Sequence, residues 1–139
     1  MMKDFLKKKH VKDILEVILA FFIAWLAYQG IAFAANTSMP IVSVVSDSML
    51  PNLHRGDLLA VYGTNDYEAE DIAIYQRPGT KFTIVHRIKE ITDEGYVFKG
   101  DNNPTPDPYI VKREQIIGKV AFAVPLLGYP RLALSYVGI

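Results

Sequence analysis

Between Ile14 and Ala35 the chain runs for 22 residues with only Glu16 and Gln29 as clearly polar interruptions. Wound as a helix, such a run rises roughly 33 Å against about 30 Å of bilayer hydrocarbon, so it can cross a membrane once. Lys7, Lys8, Lys9 and Lys12 precede it, and the positive-inside bias puts that end on the cytoplasmic side and residues 36 onward outside. Glu16 falls within the first turn, while Trp25 and Tyr28 sit deeper than the usual aromatic belt. Ala32-Phe33-Ala34 is a small-x-small triplet like a secretory cleavage site. The apolar run exceeds the roughly 7 to 15 residues of a signal-peptide core, so it reads as a retained anchor. A buried core helix would need a globule large enough to surround it. What remains of the 139 residues, about a hundred, suffices for one small core and not for two domains.

Formal charge cancels over the chain but is unevenly placed. Five lysines crowd the first 35 residues, leaving ten basic and twelve acidic side chains for the rest. The exposed part therefore lacks the basic stripe that nucleic acid requires, and no nucleic-acid partner is expected. With no cysteine, disulfides, thiolate nucleophiles and cysteine-held zinc are excluded.

Beyond Asn36 short alternating runs are broken by Pro, Gly, Asn and Asp, the texture of an all-β domain. Strands are predicted over 41–45, 57–62, 71–76, 82–91, 95–99 and 119–124, with turns at 63–66, 77–79, 92–95 and 100–108. The expected organisation is a basic cytoplasmic N-terminus (1–13), a transmembrane helix (14–35), an extracytoplasmic β-rich domain (36–124) and an apolar C-terminal segment (125–139). Pro125, Gly128 and Pro130 interrupt that last segment, which is too short for a second crossing and reads as packing on the domain or lying against the bilayer.

About ten residues past the anchor comes Ser46-Asp47-Ser48-Met49-Leu50-Pro51, followed by Gly56-Asp57. Ser and Pro also mark ordinary loops. A serine becomes a nucleophile only with a base to take its proton and donors to hold the oxyanion. Three histidines are available. His10 belongs to the cytoplasmic flank, and His54 lies in a turn-like stretch where an exposed histidine is the default. His86 is the polar member of an apolar strand face made by Phe82, Ile84 and Ile88. A satisfied core histidine is the plain reading of it, but the loop after the next strand supplies Asp101 and Asp107, either of which could hold its tautomer. Calcium is a poorer reading of this Asp/Asn-rich loop, given its prolines and the lack of a Glu at loop spacing.

Ser-x-Ser-Met-x-Pro with its downstream Gly-Asp, His86-Arg87-Ile88 in an apolar strand, and Lys99-Gly100-Asp101-Asn102-Asn103 with Asp107 six residues after Asp101 together resemble type I signal peptidase, in its archaeal and endoplasmic-reticulum form. The resemblance spans roughly residues 12 to 128. It implies a mostly β fold, a small antiparallel sheet or partial barrel behind one transmembrane helix. It also implies a membrane-bound serine endopeptidase, a signal peptidase I, that removes signal peptides by cutting after small residues. Ser48 would be the nucleophile and His86 the base in place of the lysine of most bacterial enzymes. Asp107 would be the triad acid and Asp101 a supporting carboxylate. The Ser48 N–H and the Ser46 side chain would form the oxyanion hole. Ser38-Met39-Pro40 would be a decoy, and Lys81, Lys89 and Lys99 solvent-facing. Where the family often has Gly-Asp-Ile, this chain has Glu70-Asp71-Ile72, which puts a local turn in doubt.

No cofactor or metal is expected. The partners implied are secretory preproteins whose signal peptides end in small residues, membrane lipid, and export machinery or accessory subunits, with the protein single-pass in the cell membrane. Two rivals remain: a non-catalytic membrane-tethered β module binding an extended peptide, and a soluble self-cleaving repressor protease of similar fold. The anchor and the histidine argue against the second.

Overall fold

The computed structural model describes residues 2–137, so Met1, Gly138 and Ile139, the tips of the expected terminal segments, lie outside the described residues. The chain divides after Ala34 into two units. The first is one helix, α1 (Met2–Ala34), which begins well before the apolar run and takes in the lysine-rich flank. Leu, Ala, Lys and Glu are good helix formers, and Lys12 and Glu16, one turn apart, pair at 3.6 Å. From Lys8 to Ala34 the mean hydropathy is 2.0, and the helix is long and apolar enough to cross a membrane. Its large apolar side chains from Val11 to Phe33 are largely exposed, as suits a helix that is apolar all round and faces lipid.

The second unit carries six strands, β1 (Ile41–Ser43), β2 (Leu58–Tyr62), β3 (Ile72–Gln76), β4 (Thr83–Thr92), β5 (Gly95–Lys99) and β6 (Ile116–Val124), followed by a short helix α2 (Tyr129–Tyr136). They form one open sheet in the order β1-β2-β6-β3-β4-β5, and every pairing is antiparallel. The mostly β expectation holds, and all six predicted strands are present. Strand β6 starts at Ile116, three residues earlier than read from the sequence. Phe82 is not on a buried face: the last β3–β4 pair is Gln76 with Thr83, so Phe82 lies in the hairpin loop and is 74% exposed.

Alternation puts Ile74 and Val85, paired across β3 and β4, on one face, and Ala73, Tyr75, His86 and Ile88 on the other. Each face covers its own apolar cluster. One gathers Val42, Val44, Met49, Leu59 and Val61 around Ile74, and the other gathers Phe98, Val111 and Ile116 around Tyr75. Although β1 and β5 are opposite edges of the sheet, the segments following them meet. The Asn102 N–H donates to the Ser48 carbonyl at 2.8 Å, and the Asn102 side chain donates to the Asp47 carbonyl at 3.1 Å. The open sheet therefore coils until its two ends share a loop contact, and the site lies at that contact.

Two backbone details place the serine loop. Gly56, at φ 90°, turns the chain so that its N–H donates to the Val44 carbonyl while the Val44 N–H donates to Asp57, which carries the β1 pairing up to the serine segment. Any Cβ there would also strike the Tyr129 ring. Glu70, where the resemblance noted above implies glycine, adopts φ 76°, a left-handed conformation costing roughly 1–2 kcal/mol in a non-glycine residue. The turn is kept nonetheless: the Glu70 N–H donates to Ile88, its carbonyl accepts from Arg87, and its carboxylate pairs with Lys89 at 2.6 Å.

Candidate active site

His86 enters the site from the middle of β4, opposite Ala73, and is only 6% exposed. The small Ala73 side chain leaves room beside it. Asp107 arrives from the loop after β5, and its N–H donates to the Phe98 carbonyl at 2.8 Å, which pins that loop to the end of the strand. The His86 Nδ1 lies 2.7 Å from Asp107 Oδ2, and the His86 Nε2 lies 3.1 Å from Ser48 Oγ. A carboxylate can only accept, so Nδ1 carries the proton and Nε2 presents its lone pair to the Ser48 hydroxyl. That is the tautomer in which an imidazole can take a proton from serine.

Ser46 Oγ sits 3.2 Å from Ser48 Oγ on the same loop, so a second hydroxyl adjoins the first. Met49, 1% exposed, is buried in the core and anchors the turn. The turn is also held from above: a Cβ on Gly100 would lie 2.7 Å from the Ser48 carbonyl, so only glycine permits the Asp101–Asn103 loop to approach so closely. His86 is the histidine this cluster uses. His54 is surface-exposed with its N–H capped by Asp57, and His10 is in α1. Lys81 is exposed and Lys89 is engaged by Glu70.

Ser46, Ser48 and His86 open onto a cleft of about 550 Å³ whose walls are the Val42–Val45 segment on one side and Thr83–Val85 on the other. The Ser43 hydroxyl, buried without a hydrogen-bond partner in the described residues, also lines it. Leu132 of α2 also lines the cleft, and α2 packs against β1.

Residues 19–121 match the family described as Peptidase S24-like. The signal peptidase complex catalytic subunit SEC11 of Saccharomyces cerevisiae, from strains YJM789, RM11-1a and JAY291, is 33% identical over an alignment 139 positions long that covers 90% of this chain and 83% of each relative. The chain belongs to the signal peptidase family. It is a protease, and the resemblance read from three short motifs is borne out across most of its length.

In this peptidase Asp101 does not reach His86. Its carboxylate instead receives Arg87 Nε and Nη2, both at 2.8 Å, and the Asn52 amide at 2.7 Å. Asp101 thus ties β4, one residue past His86, to the turn that follows Ser48. Arg87 holds its pKa below the ordinary carboxylate value, with Asn52 adding to the effect and partial burial opposing it. A depressed folded value means the stabilisation is fully present above the ordinary 3.8 and is lost as pH falls below it. Replacing Asp101 by Ala is expected to cost about 2 kcal/mol at neutral pH, the worth of charged hydrogen bonds in a partly exposed pair. Thermal unfolding in detergent would measure it. A variant that melted with the parent at pH 7 would count against the clamp.

Sequence reasoning gave no role to three partners: Arg87, seen only as part of His86-Arg87-Ile88, Asn52, and Tyr75, seen only as part of the strand predicted over 71–76. Tyr75 Oη in fact lies 2.6 Å from Asp107 Oδ2 and 3.1 Å from Tyr109 Oη. The available signal was a phenol inside an apolar strand, which when buried needs an acceptor somewhere.

Proposed function

We propose that this chain removes N-terminal signal peptides from exported preproteins by cutting after small residues, through an acyl-enzyme on Ser48. The observation that carries the reading is the Ser48–His86–Asp107 chain of hydrogen bonds, 3.1 and 2.7 Å long, opening on an apolar cleft. Ser48 Oγ attacks the carbonyl carbon as His86 Nε2 takes its proton, and Asp107 holds the imidazolium through Nδ1–H. The Ser48 N–H and the Ser46 hydroxyl receive the developing oxyanion. Collapse expels the new amino terminus, protonated by His86. Water, activated by the same imidazole, then releases the signal peptide from Ser48. Asp101 acts at one remove, through Arg87 and Asn52.

An extended substrate would run along the Val42–Val45 wall, with main-chain pairing supplying affinity and the valines limiting side-chain size. Helix α1 would anchor the enzyme in the cell membrane with its lysine-rich end cytoplasmic and residues 36–124 as the extracytoplasmic peptidase domain, so that signal peptides arrive already concentrated at the surface. The relatives are subunits of a signal peptidase complex, which supports accessory subunits or export machinery as further partners.

Cleavage of a labelled preprotein by the full chain in liposomes tests this. Alanine before the scissile bond is expected to permit cutting, and leucine there to slow it by about a hundredfold or more. Indifference to that residue would defeat the size-limited cleft. Covalent labelling of Ser48 by a serine-directed acylating inhibitor separates the enzyme from a non-catalytic peptide-binding module, which would not react.

A further inference from the structure

Tyr75 is fully buried in β3, and the sheet register explains where it points. Ala73 pairs with His86 and Tyr75 with Ile84, so Tyr75 and His86 share a face one step apart along the ladder. The Tyr75 ring packs against Phe98 at a centroid distance of 4.5 Å and meets the His86 ring edge-on at 6.5 Å. A phenylalanine could fill that space. The hydroxyl is the surplus, and it is spent on Asp107 Oδ2 at 2.6 Å, the same oxygen that receives His86 Nδ1.

Proton accounting fixes every direction in this cluster. Asp107 has no proton to give, so Tyr75 donates to it. With its one proton committed, Tyr75 can only accept from Tyr109, whose hydroxyl stands 3.1 Å away. Burial and the two hydrogen-bonded neighbours push the Tyr75 phenol above its ordinary range, so it stays a donor wherever a histidine base would operate. Among the described residues, Arg77 also stands against the cluster, its guanidinium 6.0 Å over the Tyr109 ring, while Arg87 of β4 is turned to Asp101. Neither tyrosine lines the cleft.

We propose that Tyr75, backed by Tyr109, is a positioning residue of the hydrolytic site: a hydroxyl relay that fixes the Asp107 carboxylate and draws charge from the oxygen facing His86. The inference rests on the Ser48–His86–Asp107 reading. Two donors on one oxygen hold the carboxylate in the plane that orients the imidazole. They also moderate it as a counter-charge. Without the Tyr75 hydroxyl, Asp107 would swing more freely and would stabilise the protonated imidazole more strongly.

The test uses the full chain in detergent with a fluorogenic preprotein peptide. Tyr75→Phe is expected to lower kcat about tenfold with KM unchanged, and to move the acidic limb of the pH–rate profile up by about half a unit. Tyr109→Phe should move both in the same direction by less. The double variant should be no worse than Tyr75→Phe alone, because Tyr109 acts only through Tyr75. A second measurement does not depend on turnover: the NMR titration midpoint of the His86 imidazole in Ser48→Ala protein, with and without Tyr75→Phe, should rise when the hydroxyl is removed. An unmoved profile and an unmoved midpoint in a protein that still melts with the parent would overturn the relay. Additive losses in the double variant would overturn its order. Cleavage retained by Ser48→Ala would sink the site reading itself, and the NMR midpoint would still decide whether Tyr75 acts on His86.

Discussion

Replacing Ser48 by Ala is expected to abolish preprotein cleavage, lowering kcat by about ten-thousand-fold or more, while leaving the fold intact. The loss is chemical because, among the described residues, no other hydroxyl is presented to the His86 Nε2 in this way. Ser46 Oγ is 3.2 Å from Ser48 Oγ, but it is the Ser48 oxygen that stands within 3.1 Å of the imidazole. The fold survives because Ser48 serves the structure through its main chain. Its carbonyl accepts from Asn102 whatever the side chain, and Met49 beside it supplies the burial. Ser46→Ala should cost less, on the order of a hundredfold, the usual cost of losing one oxyanion donor. Ser38→Ala, at an exposed position, should cost nothing. A Ser48→Ala protein that melts with the parent and still cuts would remove the nucleophile assignment.

How much of this was legible beforehand depends on how far each feature is encoded locally. Strand positions were, because alternation within 41–45 or 71–76 is set by residues that are neighbours in sequence. The start of β6 was hidden because the β3–β6 register shifts there, between the Ile74–Gly118 pair and the Tyr75–Ile116 pair. The left-handed Glu70 could be suspected only from the family resemblance, which implies glycine there, since nothing in Glu itself favours φ 76°. Ser48 was legible as a candidate nucleophile and His86 as an unusually placed polar residue. Ranking Asp107 over Asp101 was not, because their separation depends on the path of a proline-rich loop. The outcome turns on Arg87, which captures Asp101 on its own side of β4 and leaves Asp107 for the histidine. Tyr75 was illegible for a similar reason. Its partner lies 32 residues away, and the contact exists only once the β3–β4 register is set.

His86→Ala should match the loss from Ser48→Ala, because a triad works as a unit and its members' effects do not add. Asp107→Asn should fall nearly as far, about a thousandfold or more. An amide nitrogen facing Nδ1 would favour the tautomer with the proton on Nε2, and a protonated Nε2 cannot accept from Ser48. Packing would change little, since asparagine keeps the shape, and the Tyr75 hydroxyl, which meets the same carboxylate atom as Nδ1, would accept from the amide nitrogen there instead of donating. The pH–rate profile gives the base independently of mutation. The neutral imidazole is the working form, so activity should be present at alkaline pH and disappear as pH falls through the histidine range near 6.5. A lysine base would give activity only above about pH 8, where enough of its amine is neutral. The lysines near this sheet are poorly placed for that role, since Lys89 is held at 2.6 Å by Glu70 and Lys81 is exposed beyond the end of β4. Cleavage that persisted in His86→Ala and rose only above pH 8 would transfer the base to an amine and take Asp107 out of the chemistry with it.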